Sequence, residues 1–303
     1  MKIGITGGTG FIGQYLLPEL APEHTLTVIT SRKGTEGLYQ HPNLSYLTAP
    51  YDREGFRRAF EACEAVVHLG AKRSTPEREK SITSYFENLE TTEALFAACA
   101  ELDIRNVVSI SSVAVYDAGL LSPCPETQAP SPRSNYGVAK LAIEGMARLY
   151  NRRCGMRIKS LRVAQVLGLG ERGGYMPAVF LERCLRQEKL SVYGRGTGGK
   201  EYIYVKDVVR AIRCALEAGE KCGVYNIGTG VLTTNLELAQ AYCAAFENAA
   251  GWGLLPDRPE EKERFYTDVT LAERELGFRA AYPLCAALAD MREALRASRA
   301  LIS

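Results

Sequence analysis

The chain has 303 residues, of which 46% are hydrophobic and 24% are charged, a composition typical of a globular protein with a large core. The formal net charge of +2 excludes the strongly basic surface with which proteins bind nucleic acids or anionic membranes. No apolar stretch reaches the ~20 residues that a membrane span requires. A strand pattern begins at Lys2 without a signal peptide, so a cytoplasmic protein is predicted.

Short apolar runs alternate with segments of helical periodicity through the first half of the chain. They predict strands over residues 3–6, 26–30, 44–47, 65–69, 106–110 and 157–163. Helices are predicted over residues 11–20, 53–62, 85–101 and 135–152. Ser84 and Glu87 have the spacing of a capping box for the third helix. This alternation indicates an α/β fold of the Rossmann type, a doubly wound parallel sheet with helices on both faces.

The alternation loosens after Val166, where glycine-rich loops separate shorter elements. The predicted strands there cover residues 191–193, 201–205 and 224–227, and the predicted helices cover 177–187 and begin at Asp207 and Asn235. We therefore expect a dinucleotide-binding domain over residues 1–166 and a smaller C-terminal α/β substrate lobe over residues 167–303. The chain is expected to cross between the two.

A glycine-rich loop joins the first predicted strand to the first predicted helix. Glycines at this junction permit a tight turn and let backbone amides approach a pyrophosphate. The helix N-terminus adds free N–H groups and a partial positive charge. The loop predicts a dinucleotide site formed by Gly7, Gly10, Phe11, Ile12 and Gly13.

The residues after the second predicted strand bear on the choice between NAD and NADP. An acidic residue there typically binds the adenosine ribose of NAD. This chain has Arg32 and Lys33 instead. Because both cations can bind a 2′-phosphate through charge-assisted hydrogen bonds, NADP is favoured over NAD. The alternative is that both are solvated loop cations.

Tyr136 and Lys140 are four residues apart at the start of a predicted helix, and therefore share one helix face. Ser112 ends the fifth predicted strand, and ligands of open parallel sheets bind beyond the carboxyl ends of the strands. A nearby ammonium favours the phenolate, which makes Tyr136 a usable acid and base. The same spacing at Tyr202 and Lys206 falls in a strand-like stretch, where such residues are more than ~12 Å apart, so no catalytic pair is predicted there.

These motifs resemble those of an extended short-chain dehydrogenase/reductase of the NAD-dependent epimerase/dehydratase group, over nearly the whole chain. Besides the Tyr136/Lys140 pair, the matching stretches, all in the family's order, are 6–13, 68–71, 88, 111–116, 161–162, 192–194, 202–207 and 225–228. The resemblance implies an enzyme in which Tyr136 is the acid/base, Lys140 binds the nicotinamide ribose and Ser112 donates to the substrate oxygen. It also assigns four further positions to the cofactor site, namely Leu69, Gly70, Ala71 and Asn88.

The residues that follow Ser112 narrow the reaction. Sugar-nucleotide dehydratases and decarboxylases of this family carry acidic residues where this chain has Val113 and Ala114, so dehydration and decarboxylation are not expected. Two activities remain as alternatives, that of a nucleotide-sugar 4-epimerase and that of an NADPH-dependent ketoreductase. Chain length and overall pattern favour the epimerase, whereas the basic residues after the second strand favour the reductase. A non-catalytic, cofactor-sensing regulator is disfavoured because the serine, tyrosine and lysine are all present.

The substrate site is predicted to contain Ser112, Val113, Gln165, Arg195 and Lys200. Relatives usually have asparagine at the position of Gln165 and arginine at that of Lys200. Lysine keeps the charge that a substrate diphosphate requires but loses the bidentate geometry. The resemblance makes a nucleotide sugar the expected substrate.

The nine cysteines are scattered without a Cys-x-x-Cys pair, and the three histidines lack ligand spacing. Neither a disulfide framework nor a metal site is predicted. The resemblance also implies a homodimer, formed through the helices over residues 85–101 and 135–152.

Overall fold

The structure is a computed structural model that describes residues 1–32, 34–116, 122–171, 174–260 and 262–300. The elements of the first half are β1 (Lys2–Thr6), α1 (Gly13–Leu20), β2 (Thr25–Thr30), β3 (Leu44–Thr48), α2 (Arg53–Phe60), β4 (Ala65–His68), α3 (Phe86–Glu101), β5 (Asn106–Ser112), α4 (Asn135–Cys154) and β6 (Arg157–Val163). Those of the second half are β7 (Gln165–Leu167), α5 (Met176–Leu185), β8 (Leu190–Tyr193), β9 (Gly199–Tyr204), α6 (Val205–Glu217), β10 (Gly223–Ile227), β11 (Leu232–Thr234), α7 (Asn235–Ala245), β12 (Trp252–Leu255), α8 (Thr270–Leu276) and α9 (Leu284–Ala300).

In the described part of the chain, seven strands form one parallel sheet in the order β10-β6-β5-β4-β1-β2-β3. The strand order reverses between β1 and β4, which is where ligands bind in open α/β sheets. The predicted Rossmann-type fold is confirmed.

Two small sheets lie outside the large one among the described residues, with the strand orders β11-β9-β7 and β12-β8. The chain returns to the large sheet between β9 and β11, because β10 pairs in parallel with β6 of the large sheet. Residues on both sides of position 166 therefore contribute strands to the large sheet.

Apolar side chains pack against both faces of the large sheet. On one face, the fully buried Leu16 and Leu20 of α1 pack with Ile212 of α6 against the strands. On the other face, Phe56 of α2 and Phe96 of α3 occupy the equivalent layer. The strands read as continuous apolar runs because helices cover both of their faces.

The start of α3 differs from the predicted capping box. The helix begins at Phe86 after Tyr85, and no side chain caps it. Ser84 lies in a preceding 3₁₀ turn, and the carboxylate of Glu87 forms an ion pair with Lys72. Glu87 therefore pairs with Lys72 instead of capping the helix, the role that the local pattern predicts.

No helix in the described ranges combines the length and apolar character needed to cross a membrane. Within the same ranges, no three histidine, cysteine or acidic side chains are grouped as metal ligands.

Candidate active site

The glycine loop after β1 lies against the end of β4. Gly7 has a left-handed backbone conformation, with φ of 68°. A β-carbon on Gly7 would lie 2.6 Å from the backbone nitrogen of Gly70, and one on Gly13 would lie 2.2 Å from the carbonyl oxygen of Gly8. No side chain caps the N-terminus of α1, whose start lies at this loop, and the amide of Gln14 donates to the carbonyl of Gly10 at 3.0 Å. The geometry fits the pyrophosphate of a dinucleotide.

We expect the substitution Gly7→Ala to weaken NAD binding by at least about tenfold, or roughly 1.4 kcal/mol. The added methyl group would push the loop away from Gly70, and alanine strains the left-handed backbone. Isothermal titration calorimetry with NADH measures the effect. Gly145→Ala is the matched control, because its β-carbon has no neighbour within 4 Å. An unchanged dissociation constant in Gly7→Ala would contradict the assignment of the loop.

Buried hydrogen bonds hold the ends of β1 and β4 together beneath the loop. The hydroxyl of Thr6 accepts a hydrogen bond from the amide of Gly70 at 3.1 Å and lies 2.7 Å from Nδ1 of His68. Nε2 of His68 lies 3.0 Å from the hydroxyl of Thr92 in α3. Burial lowers the pKa of His68 to about 3, so this histidine is a neutral bridge. It links β1, β4 and α3 beneath the loop.

The other predicted cofactor residues lie around this edge of the sheet. Leu69 and Gly70 continue directly from β4, and Ala71 is exposed beyond them. Both polar atoms of the buried Asn88 amide bond to the backbone of Lys72, at 2.7 and 2.9 Å. Asn88 therefore holds the segment after β4 in place.

The residues predicted to select NADP follow β2. Arg32 is exposed, and its backbone amide donates to the hydroxyl of Thr30 at 3.1 Å. Its guanidinium is therefore accessible at the same edge of the sheet as the glycine loop. Lys33, the second predicted cation, lies outside the described residues.

The predicted catalytic residues come together at the carboxyl end of β5. Ser112 is the last residue of β5, and Tyr136 lies in the first turn of α4, which Ser134 caps through the amide of Gly137 at 3.0 Å. The Ser112 hydroxyl is placed to hydrogen-bond the Tyr136 phenol. Nζ of Lys140 lies 5.6 Å from the centre of the Tyr136 ring. The structure therefore brings the serine, tyrosine and lysine together.

The pKa of Tyr136 differs from the expectation that a nearby Lys140 ammonium favours the phenolate. Burial raises the pKa of the Tyr136 phenol above its ordinary value, and the hydrogen bond from Ser112 opposes that rise. Burial also lowers the pKa of Lys140 to about 8. The Lys140 ammonium donates a hydrogen bond to the carbonyl of Ile110 in β5 at 2.6 Å, which fixes its position beside the phenol.

A buried ion pair ties β5, β6 and α4 together behind these residues. Arg162 of β6 donates from Nε and Nη2 to both oxygens of Glu144 in α4, at 2.9 and 2.6 Å. The hydroxyl of Ser111 donates to the same carboxylate at 2.6 Å. Because Ser111 precedes Ser112 and Glu144 lies one turn beyond Lys140, the pair sets the spacing between strand and helix.

Two of the predicted substrate residues line one cleft beside the small β11-β9-β7 sheet. Gln165 and Lys200 face it from β7 and β9. Tyr202, which the sequence excluded as a catalytic residue, also lines this cleft, whereas Lys206 forms an ion pair with Asp290. The two side chains of the second Tyr/Lys spacing therefore have different surroundings.

The remaining two predicted substrate residues lie elsewhere. Val113 begins a 3₁₀ turn after β5 beside the catalytic serine. Arg195 is outside the described lining of the cleft. Its loop is closed by Glu260, whose carboxylate accepts from the backbone amides of Arg195 at 2.8 Å and Gly198 at 3.0 Å.

Two side chains near the site, Tyr175 and Arg73, were not predicted from the sequence. The Tyr175 hydroxyl donates to the carbonyl of Ser74 at 3.3 Å, and Tyr175 helps to raise the pKa of Tyr136. Arg73 stacks over the Tyr175 ring at 5.5 Å and forms an ion pair with Glu171. Sequence distances of about a hundred residues separate these partners, so no local pattern could have found them.

Comparison with known proteins agrees with this fold. The model of the NAD dependent epimerase/dehydratase family matches residues 3–228. The chain is 29% identical to a UDP-glucose 4-epimerase of Cyamopsis tetragonoloba, over 92% of this chain and 90% of that protein. It is 27% identical to a dTDP-glucose 4,6-dehydratase of Streptomyces niveus, over 99% of this chain and 94% of that protein. The crystal structure of a UDP-N-acetylglucosamine 4-epimerase from Bacillus cereus is similar with a TM-score of 0.87, at 29% identity, over 98% of this chain and 96% of that one. The chain belongs to the NAD dependent epimerase/dehydratase family of enzymes.

Proposed function

We propose that this enzyme is a nucleotide-sugar 4-epimerase that acts by reversible hydride transfer at a sugar carbinol carbon. The observation that carries the proposal is the convergence of Ser112, Tyr136 and Lys140 at the end of β5, beside the glycine loop. Val113 and Ala114 follow the serine, so no acid stands there to eliminate water. The named activity of the epimerase relatives supports the same reaction.

The side chains of this site would divide the work between proton transfer and orientation. A bound nicotinamide cofactor would supply reversible hydride transfer at the sugar carbon. Tyr136 removes the proton of the sugar hydroxyl and gives it back, and Ser112 holds the same oxygen by a hydrogen bond. The amides around Gly7 and Gly13 would bind the cofactor's pyrophosphate. Lys200 and Gln165 would bind the nucleotide diphosphate in the cleft.

The test is a panel of nucleotide sugars, scored for epimer formation by NMR and for nicotinamide absorbance at the same time. Epimer at constant absorbance is the expected result, because the cofactor is regenerated in each turnover. Stoichiometric loss of NADPH would select a ketoreductase, the alternative that the exposed Arg32 favours. A product lighter by one water would show a dehydratase and overturn both.

The cofactor preference is tested separately. We propose that the site accepts NAD, as the family's description states, and that Arg32 gives it additional affinity for NADP. Titration of the protein with NADH and NADPH, before and after Arg32→Ala, decides the point. The second half of the proposal requires NADPH to bind more tightly than NADH in the parent protein and to lose that advantage in the variant.

The Lys140 pKa of about 8 predicts a pH dependence. The ammonium is present below that pH and is lost above it, and with it goes the positive charge beside the phenol. We therefore expect kcat to fall as the pH rises through about 8. Lys140→Met should be slow at every pH and should lack this alkaline limb. A limb that persists unchanged in the variant would assign it to another group.

The quaternary and domain organisation are proposals too. We propose a homodimer through α3 and α4, whose exposed apolar side chains include Phe86, Val138 and Leu149. Sedimentation velocity of the parent protein and of Leu149→Glu tests this dimer.

We further propose that residues 1–166 bind the cofactor and that residues 167–303 bind the substrate. We also propose that the enzyme works in the cytoplasm, and cell fractionation tests this location.

A further inference from the structure

One carboxylate outside the predicted site is linked directly to the catalytic helix. Glu79 lies between β4 and α3, and its oxygens accept four hydrogen bonds. The backbone amides of Asn135 and Tyr136 donate at 2.8 and 3.3 Å, and the hydroxyls of Ser74 and Tyr85 donate at 2.9 and 2.7 Å. The backbone carbonyl of Glu79 also accepts from the side-chain amide of Asn135 at 2.7 Å. A segment 56 residues away in sequence thus grips the first turn of α4.

The grip complements the local cap of that helix. Ser134 satisfies only the amide of Gly137, at 3.0 Å. Glu79 satisfies the two amides before it, which are among the four that an α-helix leaves unpaired at its start. Its negative charge also suits the positive end of the helix. The backbone of Tyr136 is therefore fixed from outside α4.

Glu79 reaches the phenol ring of Tyr136 by a second route. The Tyr85 hydroxyl donates to Glu79, and the Tyr85 ring packs against the Tyr136 ring with their centres 5.9 Å apart. Tyr85 is fully buried, so its ring has little freedom to turn. Glu79 thus restrains both the backbone of Tyr136 and one face of its ring.

We propose that Glu79 is a positioning residue, which holds Tyr136 at the angle and depth required for proton transfer. The inference rests on the proposed role of Tyr136. Shifts of about 1 Å at a reacting group can cost on the order of a hundredfold in rate, so a restraint of this kind matters for kcat. Glutamine replaces the glutamate only in part, because three donors share Oε1 whereas the amide of Asn135 donates to Oε2, and a side-chain amide offers only one oxygen.

The charge on Glu79 is present at neutral pH. Burial alone would raise the pKa of this carboxyl, but the hydrogen bonds from Tyr85, Ser74 and the two amides hold it below its ordinary value. The contacts above therefore belong to the ionised carboxylate under assay conditions.

Amide hydrogen exchange followed by NMR tests the grip without any substrate. In Glu79→Gln, the amide of Asn135 should exchange at least about tenfold faster, because its acceptor Oε2 becomes an NH2 group. The amide of Tyr136 donates to Oε1, which glutamine keeps without the charge, and should be accelerated by a smaller factor. The Gly137 amide should keep its rate, because Ser134 still caps it. Equal rates for all three amides in parent and variant would overturn the proposal.

Kinetics test the consequence for turnover. Glu79→Gln should lower kcat about tenfold or more and change the KM and the cofactor dissociation constant less than about threefold. Glu77→Gln is the matched control, because Glu77 is exposed and lies two residues earlier in the chain. Its substitution removes the same charge. Tyr85→Phe keeps the ring and removes only its hydroxyl, and should lower kcat by a smaller factor. In the double variant the two losses should not multiply, because they act through one restraint.

The outcomes separate the two proposals. A parent protein that epimerises no nucleotide sugar overturns the proposed function, whatever the exchange rates show. If the parent is active and Glu79→Gln keeps its kcat, the positioning role is overturned. It is also overturned if the variant shows a lower kcat, a changed KM and a lower melting temperature together. Tyr85→Phe keeps that test decisive if Glu79→Gln does not fold.

Discussion

Replacing Tyr136 by phenylalanine should lower kcat by about 10³-fold, within the range that general acid–base groups contribute. The ring would still pack against Tyr85, at the present separation of 5.9 Å, so the first turn of α4 should keep its place. What disappears is the phenol that we propose exchanges a proton with the substrate oxygen beside Ser112. Nucleotide-sugar turnover by the variant, measured at saturating cofactor, gives the loss directly.

Cofactor binding separates this result from general damage. NADH should bind the variant within about threefold of the parent, because the glycine loop and the uncapped start of α1 are untouched. Tyr150→Phe is the matched control on the same helix, since the Tyr150 hydroxyl donates to Glu93 at 2.8 Å, away from the site. Parent-like kcat in Tyr136→Phe would remove the tyrosine from the mechanism.

Replacing Arg162 by methionine should lower the free energy of unfolding by about 3–5 kcal/mol. Arg162 is 2% exposed and Glu144 is fully buried, so the substitution would leave a buried carboxylate without its counter-charge. The Arg162 guanidinium also donates to the Tyr116 hydroxyl at 2.6 Å, and that hydroxyl donates to Asn226 at 2.9 Å. The loss would therefore extend from α4 to β10. Urea denaturation, followed by circular dichroism, measures it.

A second substitution tests whether the cost comes from the stranded charge. Glu144→Met added to Arg162→Met should recover a large part of the lost free energy, because no unpaired carboxylate remains. Arg186→Met is the matched surface control. Its ion pair with Glu182 is more than half exposed on both sides, and such pairs contribute less than about 1 kcal/mol. Equal losses at Arg162 and Arg186 would show that the buried pair has no special role.

The fold was largely predictable because its signal is local. A parallel sheet covered on both faces requires continuous apolar strands between amphipathic helices, and those patterns stand in the sequence. The glycine loop was predictable for a similar reason, since Gly7 and Gly13 sit where a side chain would strike the backbone. The cap of α3 was not, because Glu87 pairs with Lys72, a residue 15 positions away.

Part of the candidate site was likewise predictable from local spacing, and part of it was not. The sequence alone placed Ser112 at a strand end and Tyr136 and Lys140 one helical turn apart, because strand ends and helix faces follow from spacing. It also led to the expectation that a nearby Lys140 ammonium favours the phenolate of Tyr136. The structure adds a partner that spacing did not indicate, since the Lys140 ammonium lies 2.6 Å from the carbonyl of Ile110, a contact set by how α4 packs on β5.

The sequence by itself therefore determined the fold class, the dinucleotide loop and the three residues of the predicted catalytic group. Only the tertiary structure decided what surrounds them. It placed Glu79 on the first turn of α4, Asn88 on the backbone of Lys72, and the Arg162–Glu144 pair behind the site. The physical reason is distance along the chain. Periodicity and spacing report contacts within one element, whereas these hydrogen bonds join elements that meet only when the sheet and its helices pack together.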